Sequence, residues 1–166
     1  MRTIILIVLT GALAAITTPD PIQAQEEHRH DMHMQQMKME PAVADPRTLV
    51  HFPEPLRIHT LANMRDHLLA LAEIQETLAR KQFERAGEIA EQRLGMSSME
   101  LHGAHEVGPY MPKEMAAIGT AMHRAASRFA VAASDAAVGG EINPALAALA
   151  DVTRQCVACH NGYRVQ

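Results

Sequence analysis

From residue 156 the sequence reads Cys156-Val157-Ala158-Cys159-His160 and continues as Asn161-Gly162-Tyr163-Arg164. Cys-x-x-Cys-His is the attachment pattern of a c-type haem, in which each cysteine forms a thioether and the histidine binds the iron. On a helix these three positions share one face, so their side chains can meet one flat macrocycle. The sequence therefore predicts one covalent haem c held by Cys156 and Cys159, with His160 as an axial iron ligand.

The two cysteines also allow other readings. They are the only cysteines in the chain, so they could form a local disulfide, a redox dithiol or half of a zinc site. A zinc site would need a second ligand pair at matching spacing, and a thioredoxin-like dithiol would need a βαβ pattern around it. The sequence contains neither pattern, which favours haem.

Length and composition favour one helical domain with additional segments. The chain has 166 residues, 3% aromatic residues and a net charge of −4. Its apolar residues are mostly Ala, Leu and Met, which are good helix formers. The mild negative charge gives no electrostatic case for nucleic acid.

Residues 1–24 match a signal peptide. Arg2 precedes an apolar run that ends before Pro19, and Ala24 offers a small-residue cleavage position. The alternative is an uncleaved membrane anchor, but the apolar run is short for a spanning helix. We expect export to the periplasm and no membrane association after cleavage.

Residues 25–52 predict a disordered Met/His-rich tail and a Pro-rich linker. Imidazole and thioether groups are ligands that copper favours. The candidate copper ligands share one short polar stretch: His28, His30, Met32, His33 and Met34. The alternative is a solvated linker with a biased composition and no ligand.

Residues 53–166 predict an all-α fold, an antiparallel four-helix bundle. The first helix starts near Pro55 and carries an apolar stripe stepping by three or four residues, followed by a turn near 80–82. The second helix runs to about Leu94, the third from about Pro112 to Gly139, and the fourth starts with Asn143 as its cap. No strand pattern is present, and short connections favour an up-and-down arrangement.

The connection 96–111 is longer and contains His102 and His105. These two histidines lie three residues apart near several methionines, which would suit a second metal site. The alternative is a polar loop that covers core methionines.

Met64 is the predicted second axial ligand, because it lies on the apolar stripe of the first helix, a neighbour of the fourth helix in an up-and-down bundle. A Met/His pair raises the haem potential and suits electron transfer. The alternatives are that Met64 only fills the core and that His67, one turn on, competes for the iron. The candidate partners for the haem propionates are Arg57, Arg65 and Arg164.

With these residues in place, the chain resembles the class II cytochromes c, the group of cytochrome c′ and cytochrome c556. Its ending, from Cys156 to Arg164, is similar to the group's Cys-x-x-Cys-His-x-x-(Tyr/Phe)-Arg, and the resemblance covers about residues 50–166. It implies a periplasmic haem protein, often a homodimer through its first two helices. Five-coordinate members bind nitric oxide or carbon monoxide, whereas six-coordinate members carry methionine and pass electrons. A short second helix, the extra residues of 96–111 and the tail depart from the group's pattern.

These observations predict a six-coordinate electron carrier that works with periplasmic redox partners. Two alternatives remain open, a cytochrome c′-like protein that binds a small gas ligand and an accessory protein that handles copper. No paired-carboxylate or nucleophile–base pattern supports an enzyme.

Overall fold

The computed structural model describes residues 44–166, and within them residues Pro46–Gln166 form one compact unit. The described residues are mostly helical, as predicted, with five helices and little strand. The elements in order are β1 (Thr48–Val50), α1 (Glu54–Ala79), α2 (Phe83–Arg93), the short α3 (Ala104–Val107), α4 (Lys113–Ala137), α5 (Asn143–Gly162) and β2 (Tyr163–Val165). No helix in this part of the chain has both the length and the apolar character to cross a membrane.

The turn predicted at 80–82 is confirmed, and it ends α1 without a glycine. The amide of Gln82 donates to the Thr77 carbonyl at 2.8 Å, and the amide of Lys81 donates to the Leu78 carbonyl at 2.9 Å. This is the Schellman arrangement, which needs a left-handed residue at the position of Lys81. Lys81 has φ of +60° and is the only non-glycine residue in the described range with positive φ.

The long helices pack in sequence: α1 against α2, α2 against α4, and α4 against α5. Gly87 lets α2 approach α4 closely, because a β-carbon there would lie 2.9 Å from the carbonyl oxygen of Ala130. A main cluster of buried side chains forms where these helices meet; its largest fully buried apolar members are Ile74, Leu94, Phe129 and Val152.

The predicted limits of the second, third and fourth helices are confirmed to within about two residues. The predicted cap of the fourth helix is wrong by one position. Asn143 is the first helical residue of α5, Ile142 occupies the cap position, and no side chain caps the helix. Pro144 still lies in the first turn, where its missing N–H costs no intrahelical hydrogen bond.

The structure places a strand, β1, within the segment predicted as a Pro-rich linker, which corrects the prediction that the fold contains no strand. β1 pairs with β2 in parallel, with Thr48 opposite Tyr163 and Val50 opposite Val165. Val50 and Phe52 are buried in a second apolar cluster together with Val107 and Met115. The rest of the predicted tail and the signal peptide, residues 1–43, lie outside the described residues.

Candidate haem site

A cavity of about 270 Å³ opens between α1, α4, α5 and the connection that contains α3. Its volume lies close to the lower end of small-molecule pockets, which begin at roughly 300 Å³. The wall is mainly apolar and includes several methionine side chains: Met64, Met99, Met111, Met115 and Met122. The lining of the cavity is therefore suited to an apolar group bearing few polar contacts.

The C-terminal part of α5 turns the predicted attachment motif toward this cavity. Cys156, Cys159 and His160 all line the wall, as their shared helical face predicts. Both cysteines are free thiols and half-buried. Burial raises the pKa of each thiol, and the neighbouring Cys156 raises that of Cys159 further. Both thiols are therefore protonated at neutral pH.

Met64 lines the same cavity from α1. It is half-buried, so its thioether is neither in the main core nor free in solvent. The structure thus brings together the four side chains with the most specific predicted roles: the two cysteines, His160 and Met64. Sulfur and imidazole donors on an apolar wall are the residues that fit a covalent haem with two axial ligands.

The three arginines predicted near the propionates do not line the cavity. Arg57 donates two hydrogen bonds of 2.8 Å to Glu54, and this hydrogen bonding raises the pKa of Arg57. Arg65 is exposed on α1, and Arg164 lies in β2 opposite Leu49. A fourth arginine, Arg47, donates to the backbone carbonyl of His160 at 3.4 Å and so reaches the end of the motif.

Three histidines meet at the same cavity. His67 from α1, His102 from the turn before α3 and His123 from α4 all line it. The Nε2 atoms of His67 and His102 lie 3.4 Å apart, and the Nδ1 of His123 is 2.8 Å from the Leu94 carbonyl. Burial, together with the nearby His102 and His123, lowers the pKa of His67 to about 4. Burial and His123 also lower the pKa of His102.

This histidine cluster (His67, His102 and His123) was not predicted as a unit. The sequence pointed to His67 as a competing iron ligand and paired His102 with His105. The structure instead places His102 against His67, because Gly103 with φ of +63° turns the chain there. His105 is exposed. The position of His67 one turn after Met64 was the one sequence feature that placed it near the site. No sequence pattern connected His123 of α4 with His67 of α1 or with His102.

The candidate copper ligands between His28 and Met34 lie outside the described residues. Within residues 44–166, no group of three or more His, Cys, Asp or Glu side chains is already arranged to bind a metal ion.

Comparison with protein-family models, with curated proteins and with solved structures found no match to the chain.

Proposed function

We propose that the chain is a c-type cytochrome that holds one haem c and carries single electrons. Its fold would be the antiparallel four-helix bundle of the class II group, formed by α1, α2, α4 and α5. The observation that carries the proposal is the shared cavity: both cysteines, His160 and Met64 line one mainly apolar space.

Each of these residues has a separate role in the proposal. Cys156 and Cys159 anchor the haem to α5, so the group cannot dissociate. His160 and Met64 are the axial ligands, one from α5 and one from α1. When bound, the haem iron supplies a one-electron redox couple, whose potential a Met/His ligand pair raises. The methionine-rich wall excludes water from the iron, which also favours a raised potential.

Because Met64 takes the second axial position, the proposal favours electron transfer over gas binding. A single haem with both faces occupied leaves no position for a substrate, so we propose no enzymatic reaction. Export to the periplasm, an electron-transfer partner there and a homodimer belong to the same proposal, on the strength of residues 1–24 and of the resemblance.

The test is an optical spectrum of the purified holoprotein and of two methionine variants. The wild type should be low-spin and show the methionine–iron charge-transfer band when oxidised. Met64→Ala should become high-spin and lose that band, because the sixth ligand is removed. Met111→Ala is the matched control, since Met111 is also half-buried and lines the cavity, and it should keep the wild-type spectrum.

An unchanged spectrum in Met64→Ala would remove Met64 from the iron. A high-spin wild type whose ferrous form takes up carbon monoxide or nitric oxide would favour the gas-binding alternative. The protein should also be produced in a host that attaches haem c, and its intact mass should include one haem. An intact mass without haem would refute the proposal as a whole.

The copper-handling alternative concerns the segment 25–45. Deletion of these residues should abolish copper binding if the predicted ligands His28, His30, Met32, His33 and Met34 hold the metal. Equal copper titrations of the full-length and shortened proteins would exclude that segment as the copper site.

A further inference from the structure

The histidine cluster is poorly explained by packing alone. His67 and His123 are each only 8% exposed, and the rings of His67 and His102 have centroids 4.7 Å apart. The Nδ1 atom of His102 is buried and has no hydrogen-bond partner among the described residues. Imidazoles from three separate elements meet here, and the Nε2 atoms of His67 and His102 face each other at 3.4 Å. This arrangement suggests that a ligand joins the rings.

We propose that His67, His102 and His123 bind one first-row transition-metal ion of the Zn²⁺ or Cu²⁺ class, at a site distinct from the haem iron. The three histidines line the cavity that the proposed haem would occupy, but none of them belongs to the attachment motif.

The spacing of the rings matches a tetrahedral metal with imidazole ligands. Zinc–nitrogen bonds of about 2.0–2.1 Å place two tetrahedral ligand atoms about 3.3–3.4 Å apart. The two Nε2 atoms of His67 and His102 are 3.4 Å apart. The same geometry places the ring centroids of two ligands about 5 Å apart. The observed centroid separations are 4.7 Å for His67 and His102, 5.2 Å for His102 and His123, and 6.3 Å for His67 and His123.

A backbone carbonyl holds the ring of His123, and a side-chain amide fixes the turn that carries His102. The Nδ1 of His123 donates to the Leu94 carbonyl at 2.8 Å, which leaves its Nε2 as the nitrogen with a free lone pair. Metal-binding histidines commonly make such a bond through their second nitrogen. The amide of Asn63 donates to the carbonyl of His102 at 3.3 Å and fixes that turn against α1.

The donor set decides the class of metal. All three donors are imidazole nitrogens, and imidazole is the commonest protein ligand of transition metals. Two carboxylates interact with the cluster, and both have other partners: Asp66 binds Arg93 at 2.5 Å, and Glu91 accepts from the Ser97 amide at 3.1 Å. A site with imidazole ligands and no free carboxylate suits zinc or copper and does not suit magnesium or calcium.

The three rings do not stand in a complete metal-binding arrangement in this structure. His123 is the ring farthest from His67. Binding would need a small shift of this ring that keeps its hydrogen bond to the Leu94 carbonyl, and side-chain shifts of this kind commonly accompany binding without backbone movement.

Zinc titration of the full-length holoprotein tests the site, because Zn²⁺ is redox-silent and leaves the haem spectrum readable. Wild type should bind zinc at one site that His102→Gln weakens at least tenfold. His105→Gln is the matched control, an exposed histidine three residues away, and should bind as wild type does. A variant with His28, His30 and His33 replaced by Ala should also keep the site, which separates it from the N-terminal histidines.

Equal zinc affinity in wild type and His102→Gln would overturn the proposal, as would an equal loss in His105→Gln. If His102→Gln is poorly folded, a second measurement decides the question. It is zinc X-ray absorption on the variant that lacks His28, His30 and His33, with one equivalent of zinc bound. Three imidazole nitrogens at about 2.0–2.1 Å support the site, and fewer than three overturn it. The haem spectrum should be unchanged by zinc, so a failure of the haem proposal would be seen separately.

Discussion

Among single residues, Arg93 joins two helices through hydrogen bonds to two acidic residues. Its guanidinium donates to the carboxylates of Asp66 and Glu73, each at 2.5 Å, and so joins the end of α2 to α1. All three side chains remain partly exposed, with Arg93 at 24% and the two acids at 40% or more. Solvent therefore screens these ion pairs. Because two of them share one guanidinium, they should stabilise the fold more than a single surface ion pair does.

Replacing Arg93 with Met should reduce the free energy of unfolding by about 1–2 kcal/mol at pH 7. In the same variant, the free energy of unfolding should also fall less steeply as the pH is lowered. The hydrogen bond from Arg93 lowers the pKa of Asp66 below 3.8, so its contribution is present above pH 3.8 and is lost as the pH falls through the lower folded value.

Urea unfolding at several pH values between 7 and 3 measures both effects. Arg80→Met is the control, because the ion pair of Arg80 with Glu76 is exposed, and its unfolding midpoint should shift little. If the two variants had the same acid dependence, the Arg93 contacts would not contribute in solution.

At the scale of elements, the turn between α1 and α2 includes an unfavourable backbone conformation. Lys81 has a φ of +60°, which costs an L-residue with a β-carbon roughly 1–2 kcal/mol. Lys81→Gly should therefore stabilise the protein by about 0.5–1 kcal/mol, after the larger entropy of glycine in the unfolded chain is subtracted. Thermal unfolding checks the direction, with Lys81→Ala as the control that keeps the β-carbon and should gain nothing. A lower melting temperature for Lys81→Gly would contradict the left-handed turn.

The helices were predictable from sequence, whereas the strands were not. The apolar stripe through Met64 and the positions of Pro55 and Pro112 mark helix limits locally. β1 and β2 have three residues each, which is too short to show the alternation of apolar and polar residues that marks a strand. They also lie near opposite ends of the described residues, so no local pattern predicts that they pair. The candidate site follows the same rule, because only its local pattern could be predicted from the sequence. The attachment motif is one local pattern, but the histidine cluster combines α1, α4 and a turn that depends on Gly103.

At the scale of the whole molecule, the attachment motif joins two apolar clusters. Cys156 packs against the main cluster, whereas Cys159 packs against the second cluster, which contains Val50 and Phe52. The two cysteines therefore lie where the two clusters meet. The second cluster was not predicted, because its members come from four separate segments.

Phe52→Ala tests the second cluster, because this ring is only 7% exposed. The substitution should reduce the free energy of unfolding by about 3 kcal/mol or more, the usual cost of removing a buried aromatic ring. Tyr110→Ala is the control: its ring lies 6.3 Å from that of Phe52 but is 46% exposed, so it should cost about 1 kcal/mol. Denaturant unfolding of both variants measures the difference. Equal losses would mean that the second cluster contributes little to stability.

The parallel pairing of β1 with β2 has a consequence for the order of folding. The two strands are separated by all five helices, so their pairing closes the largest loop in the described chain and carries the largest closure entropy. Helices form from local contacts and can assemble earlier, while such non-local pairing is slow. Because β2 directly follows the attachment motif, Cys159 reaches its final environment only when this loop closes. A maturation enzyme would then have its best access to the two thiols while the helices are formed and the strands are still apart.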